Sequence, residues 1–373
     1  MSIVKRADIV IVGGGVIGLS LAWRLAQSGA APLVIDAGLP SATAAAAGML
    51  APSFEHAVSP LAGPLYRLSV KSLAAWRAFA AELEEESGET IDYRPTGALG
   101  AAFRPSEEAE LRASFAELAA SGARVEWLDA AAARALEPHL NETLRGGLFA
   151  PDDGQVDPML TAKALRRAIE QCGGAFLPAR VRAIEAEDDD RILLDGGDEI
   201  SAGVVVLAAG AMVSSVGLAA PPPVFPVKGE ALALAALDAP IRHVVRAPGA
   251  YLCPKADGRL VVGATEAPHD ASLEPTSTGV ESLKAAAARA APILGRLDEL
   301  GRWAGLRPAT PDAAPILGRS AKAPSGLVHA LGHYRNGVLL APATADLLAS
   351  LILKDAQAPE LAVFSPDRFT GGA

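Results

Sequence analysis

Residues 8–36, "DIVIVGGGVIGLSLAWRLAQSGAAPLVID", leave few folds open to the chain that carries them. A short apolar run ends in three glycines. Apolar residues then recur at helical spacing until Gly29, and a second apolar run, "APLVI", closes on Asp36. The order predicts a strand, a helix and a second strand parallel to the first, the opening unit of a Rossmann-like sheet. In the pattern Gly13-x-Gly15-x-x-Gly18, the first glycine permits the tight turn, Gly15 lets a pyrophosphate approach the backbone, and Gly18 lets helix and strand pack closely. Asp36 stands about twenty residues further on, where a carboxylate accepts hydrogen bonds from ribose hydroxyls. The stretch predicts a dinucleotide site, and by itself does not separate FAD from NAD.

A length of 373 residues predicts two domains, or one large domain carrying an inserted one. The formal net charge is −10 and there is no Lys/Arg block, so nucleic acid is not expected as a partner. Two early basic residues before an apolar run imitate a signal peptide, but the glycines interrupt that run. No other stretch reads as long and apolar enough to span a bilayer, so no membrane partner is expected. Cys172 and Cys253 lie far apart without metal-ligand spacing, which predicts no metal site and a reduced, cytoplasmic protein.

Beyond Asp36 the chain does not continue with regular βαβ units, as a nicotinamide dehydrogenase normally would. "SATAAAAGMLAPSF" (41–54) offers small residues that allow close backbone contact with something large and flat. Asp157-Pro158 is a good helix start, with an N-cap acid and proline at the first helical position. "GVVVLAAGA" reads as a buried strand that resumes the nucleotide domain and ends in small residues, Ala208 to Ala211. After "PPPVFP", a rigid crossing, several short alternating segments predict an antiparallel sheet, followed by the helical "GVESLKAAAARAAPIL". Near the C-terminus "GHYRNGVLLAPAT" (332–344) reads as a loop feeding a helix N-terminus, where backbone amides attract negative charge.

The N-terminal fingerprint, "AAAGMLAP" (45–52), "FPVKGE…AYLCPK…GRLVVGAT" (225–265) and "WAGLRPATPDAAPILG" with "GHYRNGVLLAPAT" occur in an order and spacing that span nearly the whole chain. Together they resemble the flavin-dependent amine oxidases of the D-amino-acid oxidase and sarcosine oxidase superfamily, and within it the glycine oxidases of thiamine biosynthesis. The resemblance implies an α/β FAD-binding (Rossmann-like) domain plus an α+β substrate domain with an antiparallel sheet. The first would comprise residues 1–88, 150–222 and 305–373, and the second 89–149 and 223–304.

It further implies that FAD lies extended, with its ribose at Asp36 and Ala37. The pyrophosphate would lie near Gly14, Gly15, Val16 and Ile17 and the loop of Thr43 and Ala44, with Ala209 and Gly210 nearby. The flavin ring would run along Ala47, Gly48 and Met49, and the adenine would meet the backbone of Val181. His333, Tyr334, Arg335, Asn336, Gly337, Val338 and Leu339 would wrap the flavin, the helix N-terminus stabilising the anionic reduced ring. By the same resemblance Arg307 in "GLRP" holds the substrate carboxylate in its planar fork. Arg335 reinforces the charge and Tyr251 closes over the bound amino acid, while Gly249 leaves the lid without a side chain.

The reaction so implied is oxidation of glycine, other small amines or D-amino acids to the imine, by hydride transfer to flavin N5 with no catalytic side chain required. Imine hydrolysis gives the 2-oxo acid and ammonia, and dioxygen becomes peroxide. Glycine imine would supply the thiazole of thiamine. The sarcosine oxidases' flavin-linking cysteine is replaced by leucine and arginine in "AGLRPATPD", which implies non-covalent FAD. By the same resemblance Glu266 in "GATEAP" occupies a region near the flavin face where relatives carry other residues, including a lysine used in oxygen activation, so a dehydrogenase with another acceptor is the rival enzyme. A non-catalytic flavin-binding module is the rival of another class. The resemblance also implies a homo-oligomer.

Overall fold

Arg6–Val12 is the central strand of a mostly parallel sheet, with Leu33–Ile35 on one side and Glu199–Leu207 on the other, both parallel to it. Ala175–Leu177 extends the first side, and Leu327–Leu331 extends the second. An antiparallel edge strand, Ile316–Arg319, completes that row. The computed structural model describes residues 6–55, 61–185, 190–321 and 326–369.

The central strand reads as a continuous apolar run because both faces of its sheet are covered. Ile9 and Ile11 point into a core shared with the helices Val16–Gln27, Ala62–Ser87, Pro158–Gln171 and Gly337–Lys354. Val10 and Val12 point to the other face, where the hairpin of Val181–Glu185 and Asp190–Leu194 supplies Val181, Ile184, Ile192 and Leu194. Trp76 is wholly buried in the helical layer and donates its indole N–H to the Leu339 carbonyl at 3.0 Å, joining the long helix to the C-terminal one. Burying such an indole contributes roughly 2–3 kcal/mol from apolar area alone. The close packing foreseen for Gly18 is present, since a Cβ there would lie 2.1 Å from the Gly13 carbonyl oxygen.

The second sheet has nine strands among the described residues and is antiparallel but for one pair. Phe225–Ala235 pairs along its length with Glu299–Ala309 and also with Arg259–Gly263. Ala250–Pro254, Val244–Ala247, Ala98–Ala102, Gly146–Ala150 and Glu126–Asp129 follow in that spatial order. Helix Ser277–Ala290 covers it through Val280, Leu283, Ala286, Ala287 and Ala290. Segments from 89–149 and 223–304 thus share one sheet. The divisions drawn at 149/150 and 304/305 fall inside strands, however. Glu299–Ala309 forms a ladder from Leu234↔Glu299 to Phe225↔Ala309, and Gly146–Ala150 pairs with all of Ala98–Ala102. Continuous ladder hydrogen bonding holds each strand together as one unit, and apolar alternation within a strand cannot mark where a domain ends.

The expectation that no further stretch is long and apolar enough to span a membrane also needs correcting. Tyr334–Lys354 meets that length and composition, with 72 % of its most apolar window buried inside the protein. A helix enclosed on all sides by protein needs the same apolar composition as one enclosed by lipid.

Candidate active site

A cleft of about 450 Å³ lies at the carboxyl ends of the parallel strands and reaches across to the antiparallel sheet. This is where open α/β sheets place their ligands. Gly13 makes the turn out of the first strand at φ +116°, and its N–H donates to the Ile35 carbonyl at 2.9 Å. A side chain there would meet the Ala208 carbonyl at 2.4 Å. Gly15 differs, because its φ is an ordinary −77° and a Cβ would meet only the Thr43 hydroxyl, at 3.4 Å. The protein itself leaves room beside Gly15, so a demand for glycine there comes from what enters the cleft.

The N-cap residue of the following helix, Gly15, has no side chain to cap its amides. Val16 N–H donates to Thr43 Oγ1 at 2.9 Å, which ties the helix start to the small-residue loop. Asp36 lines the cleft and accepts from Arg166 Nη2 at 2.8 Å. Arg166 comes from helix Pro158–Gln171 and has no local sequence signal for this role.

The loop after residue 41 presents backbone to the cleft. Gly48, at φ +82°, could carry a Cβ only 2.0 Å from the Val156 carbonyl oxygen. Trp303 Nε1 donates to the Ala45 carbonyl at 3.1 Å, and Lys255 Nζ donates from behind to the carbonyls of Ala47 at 2.5 Å and Val156 at 2.9 Å. Ala47, Gly48 and Met49 are held as one face of the cleft.

The C-terminal loop lines the cleft from Gly332 to Val338. It turns as a short 3-10 segment, Tyr334–Asn336, into helix Gly337–Lys354, which has no side-chain cap. The buried Asn336 Oδ1 lacks a hydrogen-bond partner among the described residues. Two helix starts whose own N-cap residues leave amides free, a glycine turn with room for a pyrophosphate and an orphaned amide oxygen fit an extended dinucleotide carrying a polar ring system.

His333 is buried beside this helix, its Nε2 3.1 Å from Thr344 Oγ1, and burial pushes its pKa down to about 3. The unfolded chain takes up a proton below about pH 6.5 that the folded imidazole refuses until much lower pH. His333's contribution to stability is therefore intact above that pH and falls as the pH drops toward about 3. The expected slope is about 1 kcal/mol per pH unit. Urea denaturation at about pH 7 and about pH 4.5 should show the loss, and His333→Gln should remove this part of it. Equal losses in both proteins would mean that His333 becomes protonated in place.

At the other end of the cleft, the Arg307 guanidinium lies flat on Gly229, where a Cβ would come 2.2 Å from Nη1. It donates to the carbonyl of Thr265 at 3.2 Å and lies 3.5 Å from that of Lys228, with no carboxylate partner among the described residues. Tyr251 sets its ring against Gly263, and burial raises its pKa, so the phenol keeps its proton. Arg335 donates through Nε to Glu55 Oε2 at 2.7 Å, and Arg246 donates to Glu55 Oε1 at 2.8 Å. The sequence reading named neither Glu55 nor Arg246.

Most of the anticipated residues line this cleft, from Gly13–Ile17, Asp36, Ala37 and Thr43 to Val181, Ala209, Gly210 and the C-terminal loop. Gly18, Ala44 and Leu339 do not. Gly18 faces the first strand, Ala44 N–H donates to Ser41, and the buried Leu339 offers its carbonyl to Trp76 and Ser72. Glu266 also needs correction, because the cleft wall there is Ala264. Its side chain is 44 % exposed, and its carboxylate takes the Tyr334 hydroxyl and lies 3.3 Å from Arg335. Burial and that carboxylate push the Tyr334 pKa up to about 12. The side chain that raised the question about oxygen thus sits at the rim.

The family model for FAD dependent oxidoreductases matches residues 8–351. The chain is 34% identical to a glycine oxidase of Geobacillus kaustophilus over 98% of each chain, and the crystal structure of the glycine oxidase from that species superposes with a TM-score of 0.92 over 98% of this chain and 99% of the other. It is 36% identical, over 97% of its own length, to a bifunctional ThiO/ThiG protein of Synechocystis, and spans 54% of that longer relative. The crystal structure of an iminodiacetate oxidase from Chelativorans, 28% identical, superposes with a TM-score of 0.85 over 96% of this chain and 99% of the other.

Proposed function

The chain belongs to the family of FAD dependent oxidoreductases and is an oxidase-like enzyme acting on amino acids; on that premise we propose that it oxidises glycine, or another small amine bearing one carboxylate, with dioxygen as acceptor and FAD held without a covalent bond. The observation that carries the reading is Arg307, a cation in the cleft wall with only carbonyls for company, beside Tyr251 and the small residues Gly229, Gly263 and Gly305. Its fork matches a carboxylate and can hold both oxygens.

Arg307 fixes one end of the substrate, and the Tyr251 ring excludes water from the other side. The neutral amine then gives up its Cα hydrogen as hydride and an N–H proton, becoming an imine that water hydrolyses to the 2-oxo acid and ammonia. FAD, when bound, supplies the two-electron acceptor, and dioxygen takes the two electrons with two protons to give peroxide. The phenol of Tyr251 and the imidazole of His333 stay neutral, so neither brings a competing charge to the reacting carbon.

A non-covalent flavin is supported by the cysteines. Cys253 is buried with its thiol 2.9 Å from Gln155 Oε1, and Cys172 contacts Glu86; neither lines the cleft. Glycine as the substrate is supported by the glycine oxidase relatives, and supply of its imine for the thiazole of thiamine extends that reading through the family resemblance.

Anaerobic addition of glycine, then sarcosine and D-alanine, tests the reading. Glycine should abolish the visible absorbance of the oxidised flavin, and air should restore it with formation of peroxide. Bleaching without recovery would mean a dehydrogenase. No bleaching by any of the three would remove the amine chemistry.

A further inference from the structure

Three segments far apart in sequence meet at the substrate end of the cleft. Glu55 follows the 3-10 turn Pro52–Phe54, Arg246 comes from strand Val244–Ala247, and Arg335 from the C-terminal turn. Both carboxylate oxygens of Glu55 are in use, one by Arg246 at 2.8 Å and the other by Arg335 at 2.7 Å. Although burial raises the carboxyl's pKa, the guanidinium groups of Arg246 and Arg335 hold it below the usual range, so Glu55 is an anion. Arg335 has Glu266 as a second counter-ion on its outer side.

Among the described residues the charges at this end are therefore three arginines, 246, 307 and 335, against Glu55 in the wall and Glu266 at the rim. One positive charge remains, and it is Arg307, the arginine with only carbonyl partners. A single bound carboxylate neutralises the site. A second would find its cations already engaged, although Ala247, Gly249 and Ala250 leave room beside Arg246. An unbalanced charge in a partly desolvated pocket is costly, so the balance acts as a filter.

We propose that Glu55 is a specificity-determining residue, which occupies Arg246 and Arg335 so that the site accepts amino acids with one carboxylate and rejects those with two. This deepens the proposed function and rests on Arg307 being the carboxylate site. Glu55 itself takes no part in the chemistry.

The test uses the holoenzyme and two unreactive acids of similar shape, methoxyacetate with one carboxylate and oxydiacetate with two. Binding is read from the visible spectrum of the bound flavin. Wild type should prefer methoxyacetate. In Glu55→Gln the ratio of the two affinities should move toward oxydiacetate by at least about tenfold, the size expected for a freed cation in such a site. The double variant Glu55→Gln/Arg246→Gln removes the freed cation and should return the ratio toward wild type, which a merely structural role for Glu55 would not do.

A ratio unchanged in Glu55→Gln, or a shift that the double variant keeps, overturns the proposal. Should Glu55→Gln fail to hold FAD, Arg246→Gln alone decides the matter. With one cation fewer it should weaken oxydiacetate more than methoxyacetate, and equal weakening overturns the idea. Neither acid has an amine to oxidise. Failure of glycine oxidation with the acid preference intact would therefore sink the substrate reading and leave the charge filter standing.

Discussion

Replacing Arg307 by alanine is expected to lower kcat/KM for the amino-acid substrate by roughly two to three orders of magnitude while the protein stays yellow. The guanidinium rests on Gly229, an arrangement that a side chain there would block, and its protein partners are only the carbonyls of Thr265 and Lys228. Removing it leaves a substrate carboxylate in a partly desolvated cleft without its charge partner. That costs about 2–5 kcal/mol in comparable pairs. Arg307→Lys should recover only part of the loss, because an ammonium keeps the charge but cannot span two oxygens. Oxygen consumption against substrate concentration, with FAD content measured on the same preparations, checks both expectations. Unchanged kinetics would take Arg307 out of the site.

The second large effect belongs to Gly15. Gly15→Ala should fold normally yet bind FAD about ten- to hundredfold more weakly, because the added methyl occupies space meant for a pyrophosphate. The contrast with its neighbour makes the result diagnostic. A Cβ on Gly15 meets nothing in the protein nearer than 3.4 Å, whereas one on Gly18 would lie 2.1 Å from the Gly13 carbonyl oxygen. Gly18→Ala should therefore damage the fold itself, and circular dichroism with thermal unfolding would separate the two cases. A Gly15→Ala protein that takes up FAD as tightly as wild type would place the pyrophosphate elsewhere.

Glu266 shows how far a linear reading reaches. Its place in "GATEAP" put it near the flavin face, and the strand ending at Gly263 does bring Ala264 to the cleft. Two residues on, the chain has turned outward and the carboxylate meets Tyr334 and Arg335 at the rim. The segment reaches the cleft at Ala264, but the side chain of Glu266 does not line it. The direction of that side chain depends on the loop's path and on partners about 70 residues away, as the 68-residue separation from Tyr334 shows.

The glycine turn, the Asp157 cap, the strand and helix periods and the order of the small-residue segments are local properties. Each is set by the φ a turn demands, by a side chain reaching an amide two or three residues on, or by which face of an element is apolar. The sequence by its local rules therefore determined the parallel Rossmann-like unit, its glycine turn and the antiparallel sheet, while most other cleft residues, Arg307 and Val181 among them, are reached through the family resemblance and line the cleft. Only the tertiary structure decided the strand that crosses a supposed domain boundary, the Arg166 contact to Asp36 and the sharing of Glu55 between Arg246 and Arg335. Those last partners lie 191 and 280 positions from Glu55. Charge compensation has no period and no spacing, so nothing in the chain marks it until folding brings the groups within hydrogen-bond distance.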